Sequence, residues 1–342
     1  MKIGNFEINK GRTFIIAEIG GNHEGDFDCA KKMIVEAAQA GADAVKFQIF
    51  EAGKIISPNS HRPAYSGKSH KEQFERFRKL QFSTNQYREL KKLSDKNRVL
   101  FFASVFDQES VDIFDSLMPA YKVASGDISF YSLLKQIRSK KKPVIISTGA
   151  SIVPEIKRVI KWIGKKDLVF LHCICSYPAP YEELNLCSIP YLQKKLGVPI
   201  GYSDHSIGIE CAIAAVALGA CVIEKHFTLD KSIPYGDHKL SVNPAELKQM
   251  VDSIRKVEKA VGSPGRSLQE CEKRARNLVR RSLYAKKDLP LGHKISSEDL
   301  IALRPLDGIP AEFEASLIGK KMKKSLSVGE AIGSGHLPLS QK

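Results

Sequence analysis

Between Phe14 and Val261 the chain repeats one two-part pattern about eight times: a short apolar run of buried-strand type, then an amphipathic stretch with helical spacing. Strands that alternate with helices pair in parallel, and eight such units close into a barrel. No Gly-x-Gly-x-x-Gly turn follows the first run, which argues against an open, doubly wound sheet. The expected fold is therefore α/β, a (β/α)8 TIM barrel. Strands are expected at 14–18, 44–48, 99–104, 120–124, 143–147, 168–173, 198–202 and 221–224, and a closing helix at 244–261.

Two stretches depart from the pattern. Residues 51–82 are polar and carry His61, Tyr65 and His70; an insertion of this length above the second strand reads as an active-site lid. After Gly262 a charged connector, 263–281, partly helical from about Leu268, leads to 282–342. That last segment is too short and too interrupted by Gly and Pro for further barrel units, so a small β-rich domain is expected there.

The formal charge of +15 invites a nucleic-acid partner, but the lysines are spread over helix faces without interleaved aromatics. That reading is set aside, and an anionic small substrate is favoured. The longest apolar run, 211–223, is bounded by Glu210 and Glu224 and is too short to cross a bilayer. The first residues have no apolar core of signal-peptide length before Glu18, so a cytoplasmic chain without a membrane partner is expected. The seven cysteines lack the usual zinc-ligand spacing and are expected to be reduced. Cys173 and Cys175 lie one residue apart at a strand end; small buried residues are the default there, a redox or metal role the alternative.

Barrel chemistry gathers at the carboxyl ends of the strands. In chain order those ends offer Glu18, Lys46 with Gln48, Ser104, Lys122 with Ser125, Ser147, Tyr177, Ser203 with His205, and His226. A lysine inside a short apolar strand is costly unless it is paired or functional, and lysines with serines form a cradle for phosphate or carboxylate. His205 and His226, just past adjacent strands and beside Ser203, Asp204 and Lys225, could form a half-open metal site completed by substrate and water. The alternative is that each imidazole hydrogen-bonds a loop.

The stretches FIIAEIGGNHEG, GADAVKFQIF, YKVASGDI, STGAS, YPAPYEELNL, GYSDHS, VIEKHFTLD and GDHKLSVNP resemble the sialic acid synthase family, the phosphoenolpyruvate-dependent synthases of nine-carbon sugar acids. RRSLYAKKDLPLG and IALRPLDG resemble its antifreeze-like (SAF) domain, so the resemblance covers nearly the whole chain. It implies a barrel over 1–262, a linker over 263–281 and a SAF domain over 282–342. It implies that His205 and His226 hold a divalent metal, manganese first, with magnesium and cobalt as alternatives. Lys46, Ser104, Lys122, Ser125, Ser147 and Ser203 would cradle phosphoenolpyruvate. Glu18 and Asp127 would act as catalytic carboxylates, Gln48, Tyr177 and Asp237 would face the amino sugar, and Arg304 would reach the neighbour's site in a domain-swapped homodimer.

The implied reaction condenses phosphoenolpyruvate with an open-chain N-acetylated hexosamine and water, releasing phosphate. Two positions differ from the N-acetylneuraminate pattern: Cys175 stands where an asparagine touches the sugar, and Asp127 where a glutamate is common. A thiol cannot replace the paired donor and acceptor of an amide, which leaves N-acetylmannosamine and a diacetamido-hexose of a legionaminate, pseudaminate or spore-coat route as candidate substrates. Two rival readings remain: a metal-dependent sugar-phosphate aldolase or isomerase on the same barrel, and a glycan- or ice-binding protein with a retired barrel.

Overall fold

The computed structural model describes residues 1–8, 11–57, 59 and 69–337; His61 and Tyr65 of the expected lid lie outside these. The chain divides into two compact units, Met1–Gly262 and Ser263–Lys342. Among the described residues no helix is long and apolar enough to cross a membrane.

In the first unit the apolar runs become eight parallel strands: β1 (Phe14–Glu18), β2 (Ala44–Ile49), β3 (Leu100–Val105), β4 (Tyr121–Val123), β5 (Val144–Ser147), β6 (Leu168–Cys173), β7 (Ile200–Asp204) and β8 (Val222–His226). They form a closed barrel in sequence order, with β8 paired to β1. Nearly every strand residue is buried, because the barrel packs one face inward and helices cover the other. The register sets Glu18 opposite both Lys46 and His226, and Ser104 opposite both Gln48 and Lys122. Polar side chains of five strands thus gather at the carboxyl ends of the barrel.

The connecting helices begin where local chemistry satisfies their free N–H groups. Ser83 and Gln86 form a capping box at Thr84–Lys96, and Asn243 with Glu246 does the same for Pro244–Val261. A short antiparallel ribbon, Lys2–Ile3 with Phe6–Glu7, lies at the amino end of the barrel, where the Phe6 ring sits 4.9 Å from Phe14.

The strand ends differ from expectation in one useful respect. β7 and β8 each run two residues further, to Asp204 and His226, since the ladder continues through Ser203–Glu224 and Lys225–Asp204. His226 is therefore the last residue of its strand instead of a loop residue, and only His205 lies beyond. The described part of the 51–82 insertion contains a second departure, the His70–Leu80 helix, opened by a Ser69–Glu72 capping box. Its polar composition hid it from hydrophobic periodicity.

Gly201 marks the tightest point between strands, where an added Cβ would meet Val222 O and Leu171 Cδ2, each at 2.5 Å. Gly201→Ala must push β6 or β8 aside, and overpacking of this kind costs about 1–3 kcal/mol. Urea unfolding should show that loss; unchanged stability would mean that the barrel yields freely here.

The second unit has its own apolar core, including Leu283, Leu289, Ile295, Leu317 and Ile332. Its sheet is a two-stranded antiparallel pair, β9 (Ser282–Ala285) and β10 (Leu300–Leu303), supplemented by isolated bridges and short helical turns. The segment before it contains the Glu270–Val279 helix, tied to the module by Leu306 N donating to Asn277 O at 2.8 Å. Asp299, buried, pairs with Lys287 at 2.7 Å and His293 at 2.8 Å and so fixes the turn leading into β10.

Candidate functional site

The carboxyl ends of the barrel strands and the loops above them enclose a cavity of about 810 Å³. Side chains of like parity on each strand face inward. Lys46 and Gln48 on β2, Glu224 and His226 on β8, and Ser203 on β7 all line the cavity for that reason.

Its floor is a lattice of alternating charge. Lys46 Nζ lies 2.8 Å from Glu18 Oε2 and 3.8 Å from Glu224 Oε2, and donates to Ser104 Oγ at 3.0 Å. Lys122 Nζ donates to Ser147 Oγ at 2.7 Å and to Val123 O at 3.0 Å, and lies 3.8 Å from Glu224 Oε1. Ser203 Oγ donates to the same Glu224 oxygen at 3.1 Å. These ions are almost wholly buried, so each would be prohibitive alone and is tolerated only in company.

The lattice is not evenly balanced. Burial raises Glu18 to about 7 against the pull of Lys46. Burial would also raise Glu224, but Lys122 and Lys46 outweigh it and hold the carboxyl below its usual range. For Lys46 the burial penalty is overcome by Glu18 and Glu224, and its affinity for a proton rises. For Lys122 burial wins over Glu224, and its affinity falls. Lys122 is thus the cation short of counter-charge, and an arriving anion would stabilise it most.

Beside this floor the two histidines meet, with ring centroids 5.4 Å apart. His205 Nδ1 donates to Ile174 O at 2.8 Å, which leaves the Nε2 lone pair as the acceptor of the neutral ring. Burial lowers His205 to about 4 and His226 to about 3, so both are neutral imidazoles at ordinary pH, the form that ligates metals. Tyr177 stacks on His205 at 4.1 Å and meets His226 edge-on at 5.9 Å. His226 Nδ1 is 3.4 Å from Asp237 Oδ2 but makes no hydrogen bond, a buried nitrogen left without a partner. Two neutral nitrogens, one of them orphaned, beside a carboxylate fit a divalent cation. Among the described residues no three His, Cys, Asp or Glu side chains converge as a closed cage, so such a site would be half-open.

Of the residues singled out from the sequence, Glu18, Lys46, Gln48, Ser104, Lys122, Ser125, Ser147, Tyr177, Ser203, His205, His226 and Asp237 all line this cavity. Gln48 Nε2 donates to Glu18 Oε1 at 3.1 Å, and Gly149 N donates to Ser125 Oγ at 3.1 Å. Asp127 is not among the lining residues; it closes the Ser125–Asp127 turn, where burial raises it to about 6 against Lys122. Asp204 and Lys225 form a fully buried ion pair at 3.0 Å outside the lining, tying β7 to β8. Arg304 lies in the second unit, exposed, directly after β10.

Among the cavity-lining residues that were not anticipated, three bear directly on the site. Glu224 could have been found, since it sits two positions before His226 on the same strand face. Asn22 donates to Phe227 O and Ser241 Oγ, both at 2.9 Å, and pins the first loop over the cavity. Arg76, on the His70–Leu80 helix, lies 2.9 Å from Glu24 and 5.3 Å from the Tyr235 ring, closing the upper wall. Nothing local in the sequence marks Arg76 or Asn22, because both act through contacts with distant loops.

A model of the NeuB family matches residues 33–266, and a SAF domain model matches residues 280–337. The chain is 38% identical over 335 residues to an N,N'-diacetyllegionaminic acid synthase of Legionella pneumophila, covering 95% of this chain and 94% of that protein. It is 38% identical over 327 residues to the N-acetylneuraminate-9-phosphate synthase of Homo sapiens, covering 93% and 91% respectively. Among solved structures, an N-acetylneuraminic acid (sialic acid) synthetase from Leptospira borgpetersenii in complex with citrate superposes with a TM-score of 0.74 at 34% identity, over 80% of this chain and 94% of that one.

Proposed function

The chain belongs to the NeuB family of nonulosonic acid synthases, phosphoenolpyruvate-dependent condensing enzymes, and we propose that its sugar substrate is an unphosphorylated diacetamido-hexose. The product would be a legionaminate-type nine-carbon 2-keto acid, with phosphate released. The upper wall of the cavity carries this reading. Among the described residues lining it, Glu72 and Asp237 bring negative charge, and the guanidinium of Arg76 is already engaged by Glu24. A hexosamine 6-phosphate would place a second dianion against that wall, whereas a neutral sugar meets no such penalty. The legionaminic acid synthase relatives support the choice of a diacetamido sugar.

In this reading Lys46 and Lys122, with Ser104 and Ser147, hold the phosphate and carboxylate of phosphoenolpyruvate over the charged floor. C3 of phosphoenolpyruvate adds to the aldehyde carbon of the open-chain sugar, water adds at C2, and phosphate leaves with cleavage of its bond to C2. Glu18, held near neutrality, takes the proton that the adding water loses, and Gln48 keeps its other oxygen in place. A divalent metal on His205 and His226, manganese first, would supply polarisation of the sugar's aldehyde oxygen. Tyr177 and Asp237 face the sugar across the histidines, and Arg304 would complete the site from a partner chain in a domain-swapped homodimer.

Phosphate release should require both phosphoenolpyruvate and the sugar. A panel of N-acetylmannosamine, its 6-phosphate and the diacetamido-hexoses, read by product mass, should rank a diacetamido-hexose first. Preference for the 6-phosphate would overturn the argument from the upper wall. Exhaustive chelation should abolish turnover and manganese restore it, while His205→Ala and His226→Ala should stay folded and inactive at any metal concentration. Full activity of either variant after chelation would remove the metal.

A further inference from the structure

We infer that Cys173 and Cys175 form a redox-active dithiol in the wall of the catalytic cavity, oxidised by hydroperoxides to an intrachain disulfide. Cys173 ends β6, is buried and lines the cavity; Cys175 follows after one intervening residue and is partly exposed. A Cβ added to Gly149 would lie 2.4 Å from Cys175 Sγ and 3.1 Å from Cys173 Sγ, so both sulfurs crowd the same point of glycine backbone. The two thiols hydrogen-bond each other, and Ser125 Oγ donates to Cys173 Sγ at 3.7 Å. Neither thiol has a role in the proposed condensation.

The pair has the asymmetry that thiol oxidation needs. Cys175 is the more accessible sulfur and accepts the hydrogen bond from buried Cys173, so it is the one that a hydroperoxide reaches first. The Cys175 thiolate attacks one oxygen of the hydroperoxide, the O–O bond breaks, and Cys175 becomes a sulfenic acid as the other oxygen leaves as water or alcohol. Cys173 then attacks the sulfenyl sulfur, the S–S bond forms, and water departs. Two thiols lose two electrons in all, and the peroxide gains them.

Closure would reach the chemistry directly. Cys173 Sγ lies 3.7 Å from His205 Nδ1, and Gly149 donates to the same Ser125 that touches Cys173. Drawing Cys173 toward Cys175 takes it from both neighbours and shifts the wall beside the histidine. Oxidation should therefore silence the enzyme reversibly.

The test is mass spectrometry of the full chain after peroxide, alkylation of remaining thiols and trypsin. The tryptic peptide 167–194 also contains exposed Cys187, so the treatment is run on Cys187→Ser, and on the unaltered chain with fragmentation between Ser176 and Leu186 to locate the modification. The expected peptide is two hydrogens lighter than the reduced one, carries no alkyl group on Cys173 or Cys175, and reverts with dithiothreitol. In Cys175→Ser the Cys173 thiol should remain alkylatable. If both cysteines of the unaltered chain stay alkylatable under peroxide that oxidises exposed Cys271, or gain oxygen irreversibly, the dithiol is refuted. Phosphate release should be lost and regained in step with the disulfide. Only that activity readout rests on the proposed condensation; the mass readout stands without it, so failure of one reading is distinguishable from failure of the other.

Discussion

Lys122→Met is expected to lower kcat/KM for phosphoenolpyruvate by roughly 150- to 5,000-fold, from the about 3–5 kcal/mol lost when one partner of a buried charge pair is removed. Lys122 is the ammonium whose burial is least compensated, and it reaches the anion cradle through Ser147 and Glu224. Without it, Glu18 and Glu224 face Lys46 alone. The floor then becomes net negative exactly where a polyanion has to bind when both carboxyls are ionised. Methionine preserves the length of the stem, which limits cavity formation and keeps the effect electrostatic. KM for the sugar should change far less, because the groups this lysine pairs with, Ser147, Val123 O and Glu224, belong to the anion floor and not to the sugar wall of Arg76, Tyr235 and Asp237. Steady-state kinetics varying each substrate in turn checks this. Equal losses on both substrates would show that Lys122 supports the fold of the cavity instead of the anion.

The legibility of this molecule follows from which forces act locally. The barrel could be read because each strand is an apolar run buried on both faces, and burial writes itself into composition. Lys46 and Lys122 were legible for the opposite reason, as charges in segments where a charge is costly. Glu224 broke the same rule on β8 and was read only as the boundary of an apolar run, although counting back by two from His226 sets it on the cavity face. The His70–Leu80 helix was invisible because Leu80 is the one fully buried residue its pattern offers. Arg76 owes its place to Glu24 and Tyr235, far apart in sequence, and no window contains all three. Asp127 illustrates the converse: resemblance assigns it a catalytic place, yet its turn keeps it out of the cavity lining.

Mixing an inactive Arg304→Ala chain with an inactive His205→Ala chain is expected to restore activity. Arg304 is exposed, follows β10 directly, and belongs to the second unit. Its guanidinium is a rigid fork of donors suited to carbonyl and hydroxyl oxygens, and it stands exposed. If the SAF domain of one chain serves the barrel of the other, each site needs a histidine from one chain and an arginine from its partner. A hybrid dimer then holds one site with both residues and one with neither. Random exchange makes about half the dimers hybrid, so up to roughly a quarter of the wild-type density of sites can return. Co-expression with two different tags and sequential purification isolates the hybrid and verifies exchange. Sedimentation of each parent variant confirms that neither has lost its ability to associate. Should the purified hybrid remain as inactive as its parents, Arg304 does not complete a neighbour's site, and the swapped arrangement falls while the barrel chemistry of Lys46, Lys122, His205 and His226 is left standing.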